Sequence, residues 1–125
     1  MSPDDGVVAD ALEVLEIGEV EALTAKGDPD PFTEGERAYA RSKSDPERRL
    51  AARLAAKRAA CRLLGPDISL GDVEVVRGRG GPPGLRLSAK ARERLLALGA
   101  GRALVSLTHE RRYAAAVVLL LREPG

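Results

Sequence analysis

The side chains that most often carry out catalysis or bind metals are scarce in this chain. Cys61 is the only cysteine and His109 the only histidine among 125 residues. One thiol cannot form a disulfide within the chain, and one cysteine with one histidine cannot form a His/Cys metal cluster. Cys61 is expected to be a small core residue on a helix. The remaining side chains that could form a functional site are 19 acidic and 20 basic ones.

Those charges are divided unevenly along the chain. Residues 1–36 hold eleven acidic side chains and one basic one, Lys26, whereas residues 37–125 hold eight acidic and 19 basic side chains. The net charge of +1 therefore conceals segments of −10 and +11. A near-neutral total gives no general attraction to nucleic acid, but the basic part could attract an anion locally. Alternatively, the two segments could pack together and neutralise each other.

Length and composition indicate one globular domain over residues 1–125. Hydrophobic residues make up 44% of the chain, and a domain of this size buries roughly two thirds of its unfolded surface. The longest apolar run, residues 114–121, is too short to span a bilayer. The N-terminus has neither a basic region nor an apolar signal segment. We therefore expect a cytoplasmic protein without a membrane partner.

The first two thirds of the sequence predict mainly helices. A short strand is expected at residues 7–9, followed by a helix with Leu12, Leu15, Val20 and Leu23 at helical spacings. Residues 27–31 predict a turn. Thr33 and Glu36 form a capping-box pattern, and residues 44–47 offer a second helix start with a proline near its first position. Residues 47–64 then predict a long helix that ends at Gly65.

The last third predicts two hairpins and a helix between them. Residues 73–76 and 85–87 suggest strands that flank a loop rich in glycine and proline, residues 78–84. Ser88 is expected to cap a helix over residues 89–98. Two apolar runs, residues 103–107 and 113–121, indicate a hairpin of buried strands. The sequence thus predicts an α+β fold in which an antiparallel sheet packs on helices.

Three segments, in this order, resemble the holo-acyl-carrier-protein synthase family, which comprises the small 4′-phosphopantetheinyl transferases. Residues 6–14, Gly-Val-Val-Ala-Asp-Ala-Leu-Glu-Val, are similar to the family's opening strand, aspartate and helix start. Residues 50–59, Leu-Ala-Ala-Arg-Leu-Ala-Ala-Lys-Arg-Ala, are similar to its helix Leu-Ala-x-Arg-Phe-Ala-Ala-Lys-Glu-Ala. Residues 105–116, Val-Ser-Leu-Thr-His-Glu-Arg-Arg-Tyr-Ala-Ala-Ala, resemble its last hairpin. The resemblance covers nearly the whole chain.

The resemblance implies a function, a fold and partners. Members of the family transfer 4′-phosphopantetheine from coenzyme A to a serine of acyl carrier protein, in fatty acid or polyketide biosynthesis. They use magnesium, share the 4′-phosphopantetheinyl transferase fold, and commonly form homotrimers with sites between subunits. The reaction is a displacement at phosphorus, which needs charge neutralisation around the pyrophosphate and a base near the attacking hydroxyl.

The resemblance also assigns site residues. Asp10 matches a metal ligand, in preference to Glu13, and Lys57 matches the lysine that faces the phosphates. Arg53 lies on the same helix face as Lys57. His109 matches the histidine near the coenzyme, and Glu110 or a water molecule is the expected base. The remaining candidates could bind phosphate oxygens: Arg58, Ser106 and Thr108.

The same residues also permit structural roles. Asp10 suits a helix N-cap, Arg53 and Lys57 suit a solvated helix face, and His109 suits a turn. Arg58 suits a plain ion pair.

Two features depart from the family pattern. Arg58 stands where the family has its second metal ligand, a glutamate, and a guanidinium cannot coordinate a cation. Arg58 either neutralises the pyrophosphate itself or pairs with an acid, Asp10 being one candidate. The predicted first helix is acidic, with Glu16 where the family usually has arginine, so an acidic carrier protein would be repelled there. An alternative function is therefore a non-catalytic relative that serves as a binding or interface subunit.

Overall fold

A long central helix, α3 (Pro46–Leu64), packs across a three-stranded antiparallel sheet in the computed structural model. The structure describes residues 6–25, 30–77 and 80–123. The sheet has the strand order β1 (Val7–Glu16), β5 (Tyr113–Leu121) and β4 (Arg102–His109). A second sheet pairs β2 (Val73–Arg77) with β3 (Pro83–Leu87). Three shorter helices complete the described fold: α1 (Gly18–Ala25), α2 (Glu34–Arg41) and α4 (Ala89–Ala97).

Helix α3 is buried on most of its circumference. Eleven of its 19 residues are buried, including Arg53 and Lys57. Ala51, Ala55 and Ala59 have no exposed surface, and such small side chains let neighbouring backbones approach closely. Small apolar residues therefore form a buried stripe along α3. The alternative prediction, that Arg53 and Lys57 belong to a solvated helix face, is wrong because both side chains lie inside the protein.

The helix boundaries follow the capping signals in the sequence. Thr33 accepts a hydrogen bond from the Glu36 backbone, and the Glu36 side chain accepts one from the Thr33 backbone, which completes the predicted capping box. Pro46 begins α3, and Gly65 ends it with a φ of 115°, a conformation that favours glycine. Ser88 caps α4 by accepting a hydrogen bond from the Ala91 backbone.

The predicted helix over the first apolar residues is wrong up to residue 16. Strand β1 continues to Glu16, and α1 begins only at Gly18. Ala11 and Leu15 point into the core, whereas Leu12 and Val14 are exposed, which is the alternation of a strand. Pairing with β5 along the whole of β1 overrides the helical spacing of the apolar residues. Consequently Glu13 and Glu16 belong to a strand and not to an acidic helix.

The outer sheet face, turned away from α3, carries several exposed apolar residues. Strand alternation and register place ten exposed side chains on it: Asp10, Leu12, Val14, Glu16, Arg102, Leu104, Ser106, Thr108, Tyr113 and Val117. Five of them are large hydrophobic residues at least 38% exposed. The described residues include no helix long and apolar enough to cross a membrane.

The two loops predicted from glycine and proline fall partly outside the described residues. These are the turn at residues 27–31, where 27–29 are not described, and the loop at residues 78–84, where 78 and 79 are not described. The strand pairing on both sides of the second loop is nevertheless clear, since Arg77 pairs with Pro83 at the end of the β2–β3 ladder.

Candidate anion-binding site

A cavity of about 260 Å³ lies where the first half of α3 meets the ends of β2 and β4. We call it the basic cavity, and its lining consists of Arg49, Ala52, Arg53, Arg77, Leu107, Thr108 and His109. Three arginines and a histidine thus surround one small space. No carboxylate is among the lining residues. This charge distribution suits a phosphate group, which arginine can bind through two parallel hydrogen bonds.

Arg53 is the most deeply buried cationic group of the basic cavity. Its side chain is 2% exposed, and its guanidinium carbon lies 4.0 Å from the centre of the Tyr39 ring. Among the described residues it has no carboxylate partner, and its Nε has no hydrogen-bond acceptor. Burial lowers the pKa of the guanidinium, and Tyr39 opposes that effect. Arg53 therefore forms no ion pair with an acid among the described residues.

His109 contributes a second nitrogen without a partner. It ends β4 and points toward α3, where its side chain is 24% exposed. Its Nδ1 is buried and has no hydrogen-bond partner among the described residues. Its Nε2 lies 3.9 Å from Asp45 Oδ2, which is beyond hydrogen-bond distance. The imidazole can therefore form a hydrogen bond with a ligand without first breaking one to a described residue.

Asp45 is held by Arg49 at one side of the basic cavity. The Arg49 Nε donates to Asp45 Oδ1 over 3.0 Å. This hydrogen bond is the main reason why the pKa of Asp45 is lowered and that of Arg49 is raised. Asp45 therefore partly neutralises the charge of Arg49, whereas Arg53 has no such acid among the described residues.

The two candidate hydroxyl residues are not placed alike. Thr108 lines the basic cavity, although its side chain belongs to the exposed outer sheet face. Ser106, two residues earlier on the same face, is exposed and does not line the basic cavity. Of the five residues predicted to bind the coenzyme, the structure thus brings together Arg53, Thr108 and His109.

Lys57 was predicted to face the phosphates, but it lies inside the protein next to Glu36. It is fully buried, and its Nζ donates to Glu36 Oε1 over 2.6 Å. Glu36 is also fully buried and accepts hydrogen bonds from the backbone N–H groups of Thr33 and Val75. The pair thus joins α2, α3 and β2. The predicted contact of Lys57 with phosphates does not fit this arrangement, because a phosphate would have to displace Glu36.

Glu110 lies in the turn between β4 and β5. Its Oε1 accepts hydrogen bonds from the backbone N–H groups of Arg112 and Tyr113, over 2.7 and 2.8 Å. The hydrogen bond from Arg112 is the main cause of the lowered pKa of this carboxylate. A lowered pKa makes a carboxylate a weaker proton acceptor, so the geometry favours a turn-forming role over the predicted role as base.

Arg58 lies on another side of α3 from the basic cavity. Its guanidinium is 3.4 Å from Glu19 on α1, and the next turn of α3 repeats the pattern, since Arg62 pairs with Glu13 on β1. The sequence analysis considered an ion pair of Arg58 with an acid and named Asp10 as one candidate. The ion pair is present, but its acid is Glu19 and not Asp10. The acidic first segment therefore does pack against basic residues of α3.

The described residues do not fit a magnesium site. Asp10 lies on the outer sheet face, whereas Glu13 lies on the face toward α3 and is engaged by Arg62. No group of three or more His, Cys, Asp or Glu side chains that could hold a metal occurs among the described residues. Magnesium prefers carboxylate and other hard oxygen ligands, and Arg58 offers none. The N-cap role considered for Asp10 is also wrong, since Asp10 is inside a strand.

Two residues near the basic cavity were not predicted from the sequence as site residues. Arg77 is the last residue of β2, and its only signal was a basic side chain directly before a loop of glycines and prolines. Tyr39 is one of three aromatic residues in the chain. It lies on α2, whereas Arg53 lies on α3, so no spacing within one helix relates the two residues. Only the packing of α2 on α3 reveals their contact.

Comparison with known proteins gives both the family and the fold. No protein-family model matches the chain. The holo-[acyl-carrier-protein] synthase of Moorella thermoacetica is 44% identical over 94 residues, which are 71% of this chain and 72% of that protein. The solved acyl carrier protein synthase of Mycobacterium tuberculosis is 34% identical, with a TM-score of 0.73 over 94% of this chain and 100% of that one.

A third protein adds structural detail. The holo-(acyl-carrier-protein) synthase of Bacillus anthracis, solved in complex with CoA (3′,5′-ADP), is 24% identical and has a TM-score of 0.74 over 94% of this chain and 99% of that one. At that identity the likeness speaks for the fold alone. The predicted α+β fold of the 4′-phosphopantetheinyl transferase type is confirmed. From the two closer relatives it follows that the chain belongs to the holo-[acyl-carrier-protein] synthase family of enzymes.

Proposed function

We propose that this chain transfers 4′-phosphopantetheine from coenzyme A to a serine of an acyl carrier protein, and that the basic cavity holds a phosphate of coenzyme A. One observation carries the proposal: Arg53 and His109 line the same cavity, each with a buried nitrogen that has no hydrogen-bond partner among the described residues. Buried polar groups are normally paired, so a cavity lined by two residues that each have an unpaired nitrogen is suited to an anion. We take this anion to be a phosphate of coenzyme A, the substrate that the family resemblance implies.

The residues of the basic cavity have distinct roles in this proposal. Arg53 supplies a charge that no acid neutralises, and Arg49 and Arg77 add positive potential at the cavity wall. His109 and Thr108 supply a ring nitrogen and a hydroxyl for the phosphate oxygens. Fixed donors of this kind stabilise the charge that develops when the serine oxygen attacks phosphorus and 3′,5′-ADP leaves. Since Glu110 is bound to the turn, we assign the serine proton to solvent.

Magnesium has no role in this proposal, because the donor set around Arg58 does not suit it. A direct test is calorimetric titration of 3′,5′-ADP in excess EDTA and in excess Mg²⁺. We expect equal affinities within about twofold. A tenfold gain with Mg²⁺, equivalent to about 1.4 kcal/mol, would show a working metal site that involves residues other than the described acids.

The reaction itself is tested by mass spectrometry of a carrier protein from the same genome. Incubation with coenzyme A should add the mass of one 4′-phosphopantetheine to the carrier serine. Arg53→Met should weaken 3′,5′-ADP binding at least tenfold, whereas Arg41→Met removes an exposed arginine paired with Glu34 and should change nothing. Equal binding by all three proteins would refute the assignment of the basic cavity.

A second candidate function is a non-catalytic subunit that binds coenzyme A. It is favoured by the Arg58–Glu19 ion pair, since the family pattern has a metal-binding glutamate at position 58. Binding of 3′,5′-ADP without any mass gain on a carrier protein would support this second candidate. A mass gain would exclude it.

The outer sheet face supports an assembly of identical chains. Leu12, Val14, Leu104, Tyr113 and Val117 expose much of their apolar surface on one side of one sheet, and such patches mark interaction sites. Thr108 belongs to this face and also lines the basic cavity. A second copy on this face would therefore close the cavity from one side. We propose a homo-oligomer, the homotrimer of the resemblance, acting in the cytoplasm with residues 1–125 as one domain.

The charges around α1 and β1 bear on where the carrier protein docks. Arg58 and Arg62 pair with the acidic residues of α1 and β1, but Glu16 and Glu21 remain exposed. An acidic carrier protein would be repelled by these two residues. The basic residues that could receive it instead lie on or near α2 and at the start of α3: Arg37, Arg41, Lys43, Arg48 and Arg49.

A further inference from the structure

Tyr39 has a contact for which the proposed function gives no reason. Its ring lies over the guanidinium of Arg53, with 4.0 Å between the ring centre and the guanidinium carbon. The Lys43 Nζ lies 5.2 Å from the same ring centre. Tyr39 is half-buried on α2 and is not itself a lining residue of the basic cavity. Two cations therefore gather around one aromatic ring directly behind the cavity.

Arg53 needs some partner inside the protein, and the kind of partner decides what it can bind. A carboxylate would stabilise the buried guanidinium but would also occupy its N–H groups and cancel its charge. An aromatic face attracts a cation through the ring quadrupole and uses no N–H group. Among the described residues Arg53 has the aromatic partner and no carboxylate partner. Its charge is therefore not cancelled by an ion pair with a described residue.

We infer that Tyr39 is a positioning residue that holds the Arg53 guanidinium by ring stacking, so that its donors face the basic cavity before an anion arrives. A fixed guanidinium loses less rotational freedom on binding than a mobile one, which strengthens binding. We assign the positioning to the ring, whereas the Tyr39 hydroxyl acts on Arg53 by opposing the lowering of its pKa. The inference rests on the proposed function only in that the anion is a phosphate of coenzyme A.

Two substitutions separate the ring from the hydroxyl. Tyr39→Phe keeps the ring and should bind 3′,5′-ADP within about twofold of the unmodified protein. Tyr39→Leu keeps an apolar side chain without a π face and should bind about tenfold more weakly. Equal affinities of Tyr39→Leu and the unmodified protein, or a loss in Tyr39→Phe as large as in Tyr39→Leu, would overturn the inference.

A fluorinated series covers the case in which Tyr39→Leu fails to fold. Phenylalanine with one, two or three ring fluorines, incorporated at position 39 alone, keeps the shape of the ring while its negative face weakens step by step. The affinity for 3′,5′-ADP should fall progressively along the series. A flat series would overturn the inference, because packing alone does not depend on the ring quadrupole.

A measurement without ligand distinguishes failure of the inference from failure of the proposed function. The Arg53 Nε–H resonance, assigned through its loss in Arg53→Met, should show a ring-current shift and slow guanidinium rotation in the unmodified protein and in Tyr39→Phe. Both features should vanish in Tyr39→Leu. If they persist there, the inference is wrong. If they vanish as expected but no protein binds 3′,5′-ADP, the positioning is real and the proposed ligand is wrong.

Discussion

Arg53 on α3 and His109 at the end of β4 line one cavity, and each has a buried nitrogen without a hydrogen-bond partner among the described residues. Their elements are far apart in sequence and meet because α3 packs on the sheet that contains β4. Leaving two such groups unpaired costs stability, typically about 1–3 kcal/mol for each buried group. A fold retains such groups where a ligand completes the hydrogen bonds.

The first prediction is that Arg53 lowers the free energy of unfolding of the ligand-free protein. Arg53→Met replaces a buried guanidinium, which has no carboxylate partner among the described residues, with an apolar side chain of similar length. We expect the free energy of unfolding to rise by about 1–2 kcal/mol, because the desolvation of the charge exceeds its attraction to Tyr39. Urea unfolding without ligand measures this change. A fall in stability would mean that the stack with Tyr39 outweighs the desolvation.

The second prediction concerns the buried ion pair between Lys57 and Glu36. Lys57→Met or Glu36→Gln leaves one buried group without its charged partner, so each should lower the free energy of unfolding by about 3 kcal/mol. The double variant should recover more than half of that loss, since no unpaired charge remains. Glu34→Gln, which breaks an exposed pair with Arg41, serves as the control and should cost less than about 0.5 kcal/mol.

A Lys57 that binds phosphate would give a different outcome. If Lys57→Met leaves stability unchanged and abolishes 3′,5′-ADP binding, the ion pair with Glu36 is not the main role of the lysine. Urea unfolding and calorimetric titration of the same protein preparations decide between the two roles.

The third prediction is a pH dependence of stability from Asp72. Its carboxylate accepts hydrogen bonds from the Ser69 backbone over 2.9 Å and from the Ser88 hydroxyl over 2.7 Å. The bond from the Ser69 backbone is the main reason why the pKa of Asp72 is lowered in the folded protein. A lowered folded-state pKa gives stability that is present above the unfolded value, about 3.9, and is lost as the pH falls through the folded value.

Asp72→Asn isolates this contribution. The unmodified protein should exceed Asp72→Asn in stability at pH 7, and the difference should disappear as the pH falls below about 4. Urea midpoints between pH 7 and pH 2 give the difference at each pH. Asp67→Asn, which changes an exposed carboxylate with no hydrogen bond from the described residues, should show no such trend. A difference that grows toward low pH would contradict the assignment.

Much of the architecture could be predicted because it depends on local signals. The capping box at Thr33, the proline at position 46 and the glycine at position 65 act within one turn of a helix, so neighbouring residues suffice to recognise them. Strand β1 could not be separated from a helix in the same way. Its apolar residues fit both periods, and only pairing with β5, a hundred residues later, decides between them.

The site residues depended on the partners that tertiary packing provides. The resemblance placed Lys57 and Arg53 together on one helix face, and both are indeed buried in α3. Packing of α2 gives Lys57 a carboxylate, Glu36, and gives Arg53 a ring, Tyr39. The sequence contains both partners but no local pattern that assigns either of them. The two cations therefore serve different purposes although their sequence contexts are alike.

The last prediction concerns the outer sheet face. Val117 lies in the middle strand of this face, is 38% exposed, and pairs with Leu12 and Ser106 on the flanking strands. Val117→Lys should leave the chain folded, because the side chain already contacts solvent, but should place a charge in an apolar contact between copies. Light scattering coupled to size-exclusion chromatography should find an oligomer for the unmodified protein and a monomer for Val117→Lys. Leu96→Lys, on α4 and 57% exposed, is the matched control and should leave the oligomer intact. Dissociation by Leu96→Lys alone would move the interface to α4. A monomer for the unmodified protein would mean that the basic cavity works without a neighbouring chain.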